Sequence, residues 1–249
     1  MKTTGIWGAA PTRLYKFKKL LQTKFGNNAE ICVVGASDGK FVFPFLRSGM
    51  KVTAYEIDST AVHGGEKEFP IAQKIIKKEE YVPNPDRNPI YKKVPSELRH
   101  IQGLKKRAEI EELSALLTIR EENFYKQPPE ESYEGVFTSC SIPYQCNFDI
   151  PFVQIINSLK KAVKVGGYLY MDYMLPLEDC HSWRPEHYIR RGTLKNYFKE
   201  DEWKIIHWRE QKNPVFEAAH VDRPENHFHR FGYILIERLN NDVAVTEGE

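Results

Sequence analysis

Short apolar runs alternate along the chain with longer stretches in which apolar residues recur at helical spacing. Residues 12–26 have this helical spacing, with basic residues between the apolar ones, which predicts an amphipathic helix that ends at Gly26. The run EICVVGAS, which begins at Glu30, is continuously apolar and ends in small residues. This is typical of a strand buried on both faces of a parallel sheet. The run KVTAYEID, from Lys51, predicts a second such strand after a crossover helix.

The alternation of strand and helix continues through the second half of the chain. Helices are predicted in GLKKRAEIEELSALL and in IPFVQIINSLKKAVKVGG, the latter ending at Gly166 and Gly167. Strands are predicted in LLTIREEN, YEGVFTSCS and GYLYMDYML, and two more, WKIIHWREQ and FGYILIERL, follow each other near the C-terminus. This order predicts an α/β fold with a doubly wound, mostly parallel sheet and an antiparallel strand late in the chain.

The regular pattern is interrupted between residues 64 and 100. Within it, residues 81–95 carry four prolines, which excludes a long helix or a central strand there: Pro83, Pro85, Pro89 and Pro95. We therefore predict a single domain over residues 1–249 with a Pro-rich insert at 64–100. Two interpretations stay open, a surface loop and a cap over the active site with Tyr81 and Tyr91 as walls.

Composition and charge narrow the class of protein. The 36 basic and 34 acidic residues give a net charge of +2, so the overall charge gives no support to a nucleic-acid partner. No N-terminal signal peptide is recognisable, and no apolar run approaches the ~20 residues that span a bilayer, so we expect a cytoplasmic protein without a membrane segment. Four scattered cysteines predict reduced thiols rather than a disulfide framework.

The turn after the first predicted strand has the pattern G-x-S-x-G, formed by Gly35, Ser37 and Gly39. Small residues there let a ligand approach the backbone closely. Glu56 lies 21 residues after Gly35, at the end of the neighbouring strand, where a carboxylate can accept hydrogen bonds from both ribose hydroxyls of a nucleoside. The same five letters match a nucleophile elbow, in which Ser37 would be the nucleophile of a hydrolase.

The segments VVGASDGKF and VTAYEID, together with YEGVFTSC, SLKKAVKVGGYLYMDYM and GTLKNYFKEDEWKIIHWRE, resemble class I S-adenosylmethionine-dependent methyltransferases. The run from GTLKNYF to HRFGYILIERL is most similar to the tellurite-resistance (TehB-like) group. The resemblance covers residues 28–62 and 101–238. It implies a seven-stranded Rossmann-like sheet, S-adenosyl-L-methionine as cofactor, and in-line methyl transfer to a small-molecule or peptide nucleophile.

The resemblance also implies roles for individual residues. Gly35, Ser37 and Gly39 would wrap the methionine and ribose of the cofactor, and Glu56 would hold the ribose. The other cofactor-binding positions that match are Asn123 and Phe124 beside the adenine, and Thr138 and Ser139 facing the sulfonium. In the acceptor pocket, the matching catalytic residues are His220 and Arg230.

Three positions depart from the family pattern. Ser37 replaces the usual glycine, Val33 replaces an acidic residue, and Val221 stands where the tellurite group has arginine. The first two departures keep open a non-catalytic nucleoside-binding module of the same fold, and the third argues against tellurite as acceptor. A dinucleotide-dependent oxidoreductase is disfavoured because the tight G-x-G-x-x-G is absent.

Histidine is frequent in the last third of the chain, and two of these residues, His227 and His229, share one face of a predicted strand. No spacing of histidines and carboxylates matches a known ligand set, so the sequence predicts no metal site. His220 is the expected base or orienting group for the acceptor.

Overall fold

A computed structural model of the chain describes residues 2–71, 95–130, 132–139, 141–142, 145–147, 149–177, 188–221, 225 and 227–239. The helices are α1 (Thr12–Phe25), α2 (Phe43–Leu46), α3 (Ser59–His63), α4 (Leu104–Ile110) and α5 (Phe152–Ala162). The strands are β1 (Glu30–Val34), β2 (Lys51–Tyr55), β3 (Gly65–Pro70), β4 (Ser96–Ile101), β5 (Leu117–Arg120), β6 (Tyr133–Thr138), β7 (Val163–Leu175), β8 (Trp203–Glu210), β9 (Val215–Glu217) and β10 (His227–Arg238).

The main sheet has the strand order β5-β2-β1-β6-β7-β10-β8, and β9 pairs with β10 at its edge. The pairs among β5, β2, β1, β6 and β7 are parallel. Strand β10 is antiparallel to both β7 and β8. The predicted mostly parallel sheet of seven strands with a late antiparallel strand is confirmed.

The alternation of side chains along β1 divides the core into two layers. Ile31 and Val33 are buried in the layer that contains α1, with its Leu14, Phe17 and Leu21. The intervening Cys32 and Val34 belong to the opposite layer, which contains α5. Because successive side chains of a strand point to opposite faces, a strand covered on both sides has to be apolar throughout.

Three predicted helix boundaries differ from the structure. The helix predicted in GLKKRAEIEELSALL ends at Ile110, and Ser114–Leu116 form a separate 3-10 turn before β5. The helix after β1 is a single turn, α2, with Pro44 in its first turn, where a missing N–H is tolerated. Gly166 and Gly167 do not end α5, which stops at Ala162; they lie within β7 instead. The pairing of β6 with β7 shifts register between Tyr133 and Gly135, so the glycines mark an irregularity in a strand rather than a helix cap.

The two ends of the predicted insert are ordered as strands. Strands β3 and β4 pair antiparallel as a separate two-stranded sheet, from Gly65 opposite Ile101 to Pro70 opposite Ser96. The sequence pattern gave no sign of these strands, because three of the six residues of β3 and four of the six residues of β4 are charged or polar. Most of the Pro-rich segment, with Tyr81 and Tyr91, lies outside the described residues.

No helix in the described part of the chain is long and apolar enough to cross a membrane.

Candidate functional site

The turn after β1 is tight and closely packed. The backbone N–H groups of Gly35 and Ala36 both donate to the carbonyl oxygen of Tyr55, at 3.0 and 3.1 Å, which joins the ends of β1 and β2. Gly35 has a φ of +71°, and a Cβ at this position would lie 2.7 Å from the Cβ of Ser141. Glycine is therefore required here both by the backbone angle and by the approach of Ser141.

Glu56 directly follows β2, and its carboxylate lies against this turn. Its Oε2 accepts a hydrogen bond from the backbone N–H of Ser37 at 2.6 Å, and its Oε1 accepts from the N–H groups of Ile57 and Asp58, both at 2.9 Å. Burial raises the pKa of Glu56, and the three N–H donors only partly offset this shift. The structure thus brings together the glycine turn and the carboxylate, as the 21-residue spacing predicted.

Gly39 has a packing role that the sequence did not indicate. Its φ is +103°, and an added Cβ would lie 2.5 Å from the ring of Phe43 and 2.8 Å from the Leu104 side chain. The space beside Gly39 is thus filled by α2 and α4. Its predicted role in wrapping the cofactor stays a prediction.

Ser37 adopts a φ of +48°, which is uncommon for a residue with a side chain. Its hydroxyl accepts a hydrogen bond from the indole Nε1–H of Trp7 at 2.9 Å. Among the described residues, no histidine hydrogen-bonds this hydroxyl, so the structure gives the hydrolase interpretation no base.

Substitution of Ser37 tests the turn and the hydrolase interpretation together. Ser37→Gly removes a left-handed strain of ~1 kcal/mol and the hydrogen bond of Trp7, also worth ~1 kcal/mol, so we expect little change in the melting temperature. Ser37→Ala keeps the strain and loses the bond, so it should melt lower than Ser37→Gly. Thermal unfolding of the three proteins measures this order. Ester hydrolysis in the wild type that disappears in Ser37→Ala would instead support a hydrolase.

A buried ion pair, missed by the sequence analysis, fixes the N-terminal segment to the turn. Asp38 and Arg107 are 2% and 3% exposed, and their Oδ2 and Nη1 atoms lie 3.1 Å apart. Asp38 also accepts the backbone N–H of Ile6 at 2.7 Å. Burial lowers the pKa of Arg107, while the charge of Asp38 opposes that shift. The pair holds α4 and the segment that carries Trp7 beside the turn.

Asn123 and Phe124, predicted beside the adenine, have internal partners. The Asn123 amide donates to the carbonyl oxygen of Cys146 at 3.2 Å and to Oδ1 of Asn147 at 3.0 Å, and its own Oδ1 accepts from the N–H of Tyr125. Phe124 is 2% exposed and packs edge-to-face on Tyr55. In this structure, both side chains support the loop after β5, and an adenine contact stays a prediction.

Thr138 and Ser139, at the end of β6, also form internal hydrogen bonds. The hydroxyls of Thr138, Tyr125 and Ser141 form one network, with Tyr125 to Ser141 at 2.7 Å, and burial raises the pKa of Tyr125 to about 12. Ser139 donates to the buried carboxylate of Asp172 at 2.6 Å. Ser141, between Gly35 and this network, is a site residue that the sequence analysis missed.

His220 and Arg230 lie at the same end of the sheet as the turn, where the parallel strands have their carboxyl ends. This follows because antiparallel β10 begins where β7 ends, with Arg230 paired to Leu175. The His220 ring packs edge-on against Trp7, with ring centroids 5.0 Å apart. An Nη atom of Arg230 donates to the carbonyl oxygen of Pro176 at 3.5 Å. Trp7 thus connects the Ser37 turn to His220.

Glu217 and His227 complete a cluster of potential ligand groups with His220. One ligand atom from each of the three residues lies within 4.8 Å of the other two. The sequence pattern singles out His227 but gives no reason to join it to Glu217, which lies on another strand. Two other histidines of the last third of the chain, His181 and His187, lie outside the described residues.

No protein-family model matches the sequence, and no curated protein matches it. Solved structures do match. TehB from Haemophilus influenzae aligns with a TM-score of 0.56 at 12% identity, over 93% of this chain and 63% of that one. The chain therefore spans less than two thirds of the TehB structure.

In two further matches, the alignment covers a larger share of the solved chain. The N-methyltransferase NodS from Bradyrhizobium japonicum WM9 aligns with a TM-score of 0.53 at 9% identity, over 92% of this chain and 96% of that one. Magnesium protoporphyrin IX methyltransferase (ChlM) from Synechocystis PCC 6803 with bound SAH aligns with a TM-score of 0.52 at 10% identity, over 91% and 82%. The chain has the Rossmann-like fold of S-adenosylmethionine-dependent methyltransferases, as the sequence predicted.

Proposed function

We propose that this protein is an S-adenosylmethionine-dependent methyltransferase that acts on a small-molecule or peptide nucleophile. The observation that carries the proposal is the Glu56 carboxylate, whose Oε2 lies 2.6 Å from the backbone nitrogen of Ser37. A carboxylate at the carboxyl end of β2, beside a glycine turn at the end of β1, is where this type of sheet binds the ribose of a nucleoside. The fold shared with ChlM, crystallised with SAH, supports the same cofactor here.

The chemistry needs little from the protein beyond alignment. The acceptor atom attacks the methyl carbon, the bond from this carbon to the sulfonium sulfur breaks, and the electron pair stays on the sulfur to give S-adenosylhomocysteine. Holding the two reactants in line accounts for up to ~7–11 kcal/mol of barrier lowering in favourable systems. The proton of the acceptor passes to a base or to water.

In this proposal His220 and Arg230 act on the acceptor. They lie at the end of the sheet where β7 ends, and Trp7 connects His220 to the turn after β1, here called the cofactor turn. His220 would accept or share the proton of the acceptor, and Arg230 would orient it. The insert at 64–100, tied at its base by β3 and β4, would limit the size of the acceptor.

The test combines binding and turnover. Calorimetry should show micromolar binding of S-adenosylhomocysteine and none of NAD, and transfer of a labelled methyl group should be detected against pools of metabolites and peptides. His220→Ala and Arg230→Ala should reduce transfer at least tenfold while S-adenosylhomocysteine affinity changes less than threefold. NAD binding alone would contradict the proposal, and cofactor binding without transfer to any acceptor would indicate the non-catalytic module.

Cofactor affinity should depend on pH through Glu56. Because the pKa of Glu56 is raised, its carboxylate is protonated at a higher pH than an ordinary glutamate. A neutral carboxyl accepts weaker hydrogen bonds than a carboxylate, so affinity should fall as the pH drops through this raised pKa. Calorimetric titrations with S-adenosylhomocysteine from pH 8 downward measure the dependence. A Glu56→Gln protein, which cannot titrate there, should lack it.

A further inference from the structure

Glu217 lies at the centre of three histidine rings. Its Oε2 is 3.2 Å from Nε2 of His227, 3.9 Å from Nε2 of His220 and 2.9 Å from Nδ1 of His229. The His227 and His229 side chains are 2% and 5% exposed, whereas those of His220 and Glu217 are 25% and 41% exposed. The cluster is therefore buried on one side and open to solvent on the other.

Strand pairing brings these residues together. Glu217 is the cross-strand partner of His227 in the antiparallel ladder of β9 and β10, so the two side chains project from the same face. His229 follows two residues later on that face. His220, three residues after Glu217, adds the fourth group from the loop that leaves β9.

The hydrogen bond of His227 determines which of its nitrogens can bind a ligand. Its Nδ1 lies 2.9 Å from the carbonyl oxygen of Glu225, which can only accept, so Nδ1 carries a hydrogen. In a neutral ring, the lone pair is then on Nε2, which points at the carboxylate of Glu217. A lone pair facing a carboxylate needs a cation or a proton between them. A backbone carbonyl that holds Nδ1–H is also the usual outer partner of a metal-binding histidine.

We propose that Glu217, His220 and His227 bind a divalent transition-metal ion. Metal–nitrogen bonds of 2.0–2.1 Å place tetrahedral ligand atoms ~3.3 Å apart. The observed separations of 3.2 and 3.9 Å from Glu217 fit such a set after small side-chain adjustments. Two histidines and one carboxylate with an open side are the donor set of Zn²⁺ and Fe²⁺ centres that keep a position for water or substrate. His229, whose Nδ1 lies 2.9 Å from the same Glu217 oxygen, would act as a positioning residue through the charge contact it makes when protonated.

The position of this metal site relates it to the proposed function, and this part of the inference rests on that function. His220 packs on Trp7, whose indole donates to Ser37 in the cofactor turn. The open coordination position would therefore lie on the acceptor side of the cofactor. With the ion bound, the lone pair of His220 Nε2 would be shared with it, so the base role proposed above for His220 would apply only to the metal-free protein, and water would take the proton of the acceptor instead.

The test uses the full chain after removal of metals with EDTA and dialysis. Calorimetry with Zn²⁺ and the visible absorption of Co²⁺ should show one ion per chain. Glu217→Gln, His220→Ala and His227→Ala should each weaken binding at least 100-fold, and His229→Ala 10- to 100-fold. The matched control is His207→Ala, because His207 contacts Tyr233 on β8 and β10 away from the cluster and should leave metal binding unchanged.

Far-ultraviolet circular dichroism and S-adenosylhomocysteine titration of each variant separate loss of the site from loss of the fold. If His227→Ala does not fold, the more exposed His220→Ala still decides the question. Absence of stoichiometric binding, or binding that the cluster variants leave unchanged, would overturn the metal site. Metal binding without S-adenosylhomocysteine binding would refute the proposed function and leave the metal site standing.

Discussion

Gly35→Val should abolish cofactor binding. The new Cβ would lie 2.7 Å from the Cβ of Ser141, well inside the 3.5–4.0 Å at which carbon atoms attract each other. The backbone φ of +71° adds ~1–2 kcal/mol for any residue with a side chain, and more for a β-branched one. The turn must move away from Tyr55 and Ser141, and the Glu56 carboxylate then loses the hydrogen bond from the backbone N–H of Ser37. We expect S-adenosylhomocysteine affinity to fall at least 100-fold in calorimetry.

Three companion variants separate backbone strain from collision. Gly49 also has a positive φ, +84°, but an added Cβ there meets only ordinary contacts, at 3.6 Å and beyond. Gly49→Ala should therefore cost ~1 kcal/mol of stability and leave binding intact. Gly35→Ala should lose binding, and Ser141→Gly in the same chain should restore part of it by removing the colliding Cβ. Full binding by Gly35→Val would mean that the turn does not contact the cofactor.

The sheet could be predicted because its signals are local. In β1, the apolar run from Ile31 to Val34 reports burial on both faces, and no distant residue is needed to interpret it. Strands β3 and β4 could not be predicted from such a run, because a two-stranded sheet whose faces are partly exposed needs no apolar pattern. The predicted end of α5 at Gly166 and Gly167 is wrong because an irregular strand and a helix cap can both place a glycine at positive φ, as Gly166 is here at +76°.

The candidate site could be predicted only in part, because most of its contacts join residues that are far apart in the chain and give no local signal. Gly35 and Glu56 were found because one βαβ unit fixes their spacing. Trp7 and Ser141 approach the turn from 28 residues before Gly35 and 106 residues after it, and their residue types give no local signal. The cluster around Glu217 depends on the register between β9 and β10, which no pattern in the sequence specifies.

Glu56→Ala should weaken cofactor binding by two to four orders of magnitude. Two ribose hydroxyls donating to one carboxylate are worth roughly 1.5–3 kcal/mol each, or ~3–6 kcal/mol together. The carboxylate is already aligned for this by the three backbone N–H groups it accepts from, so little ordering is needed on binding. Calorimetry with S-adenosylhomocysteine measures the loss. Glu121→Ala is the control, since Glu121 pairs with His63 in an exposed position.

The same backbone contacts complicate a single substitution, because Glu56→Ala also leaves the N–H groups of Ser37, Ile57 and Asp58 without their acceptor. A double cycle, in which the Glu56 carboxylate and the ribose hydroxyls of the ligand are removed singly and together, isolates the ribose contribution to the binding free energy. The 2′,3′-dideoxy analogue of S-adenosylhomocysteine should bind wild-type protein about as weakly as the natural ligand binds Glu56→Ala. In Glu56→Ala, removing the hydroxyls should cost almost nothing more, since their acceptor is gone. If the two losses simply add, Glu56 supports the turn without touching the ribose, and the ribose must be bound by another group.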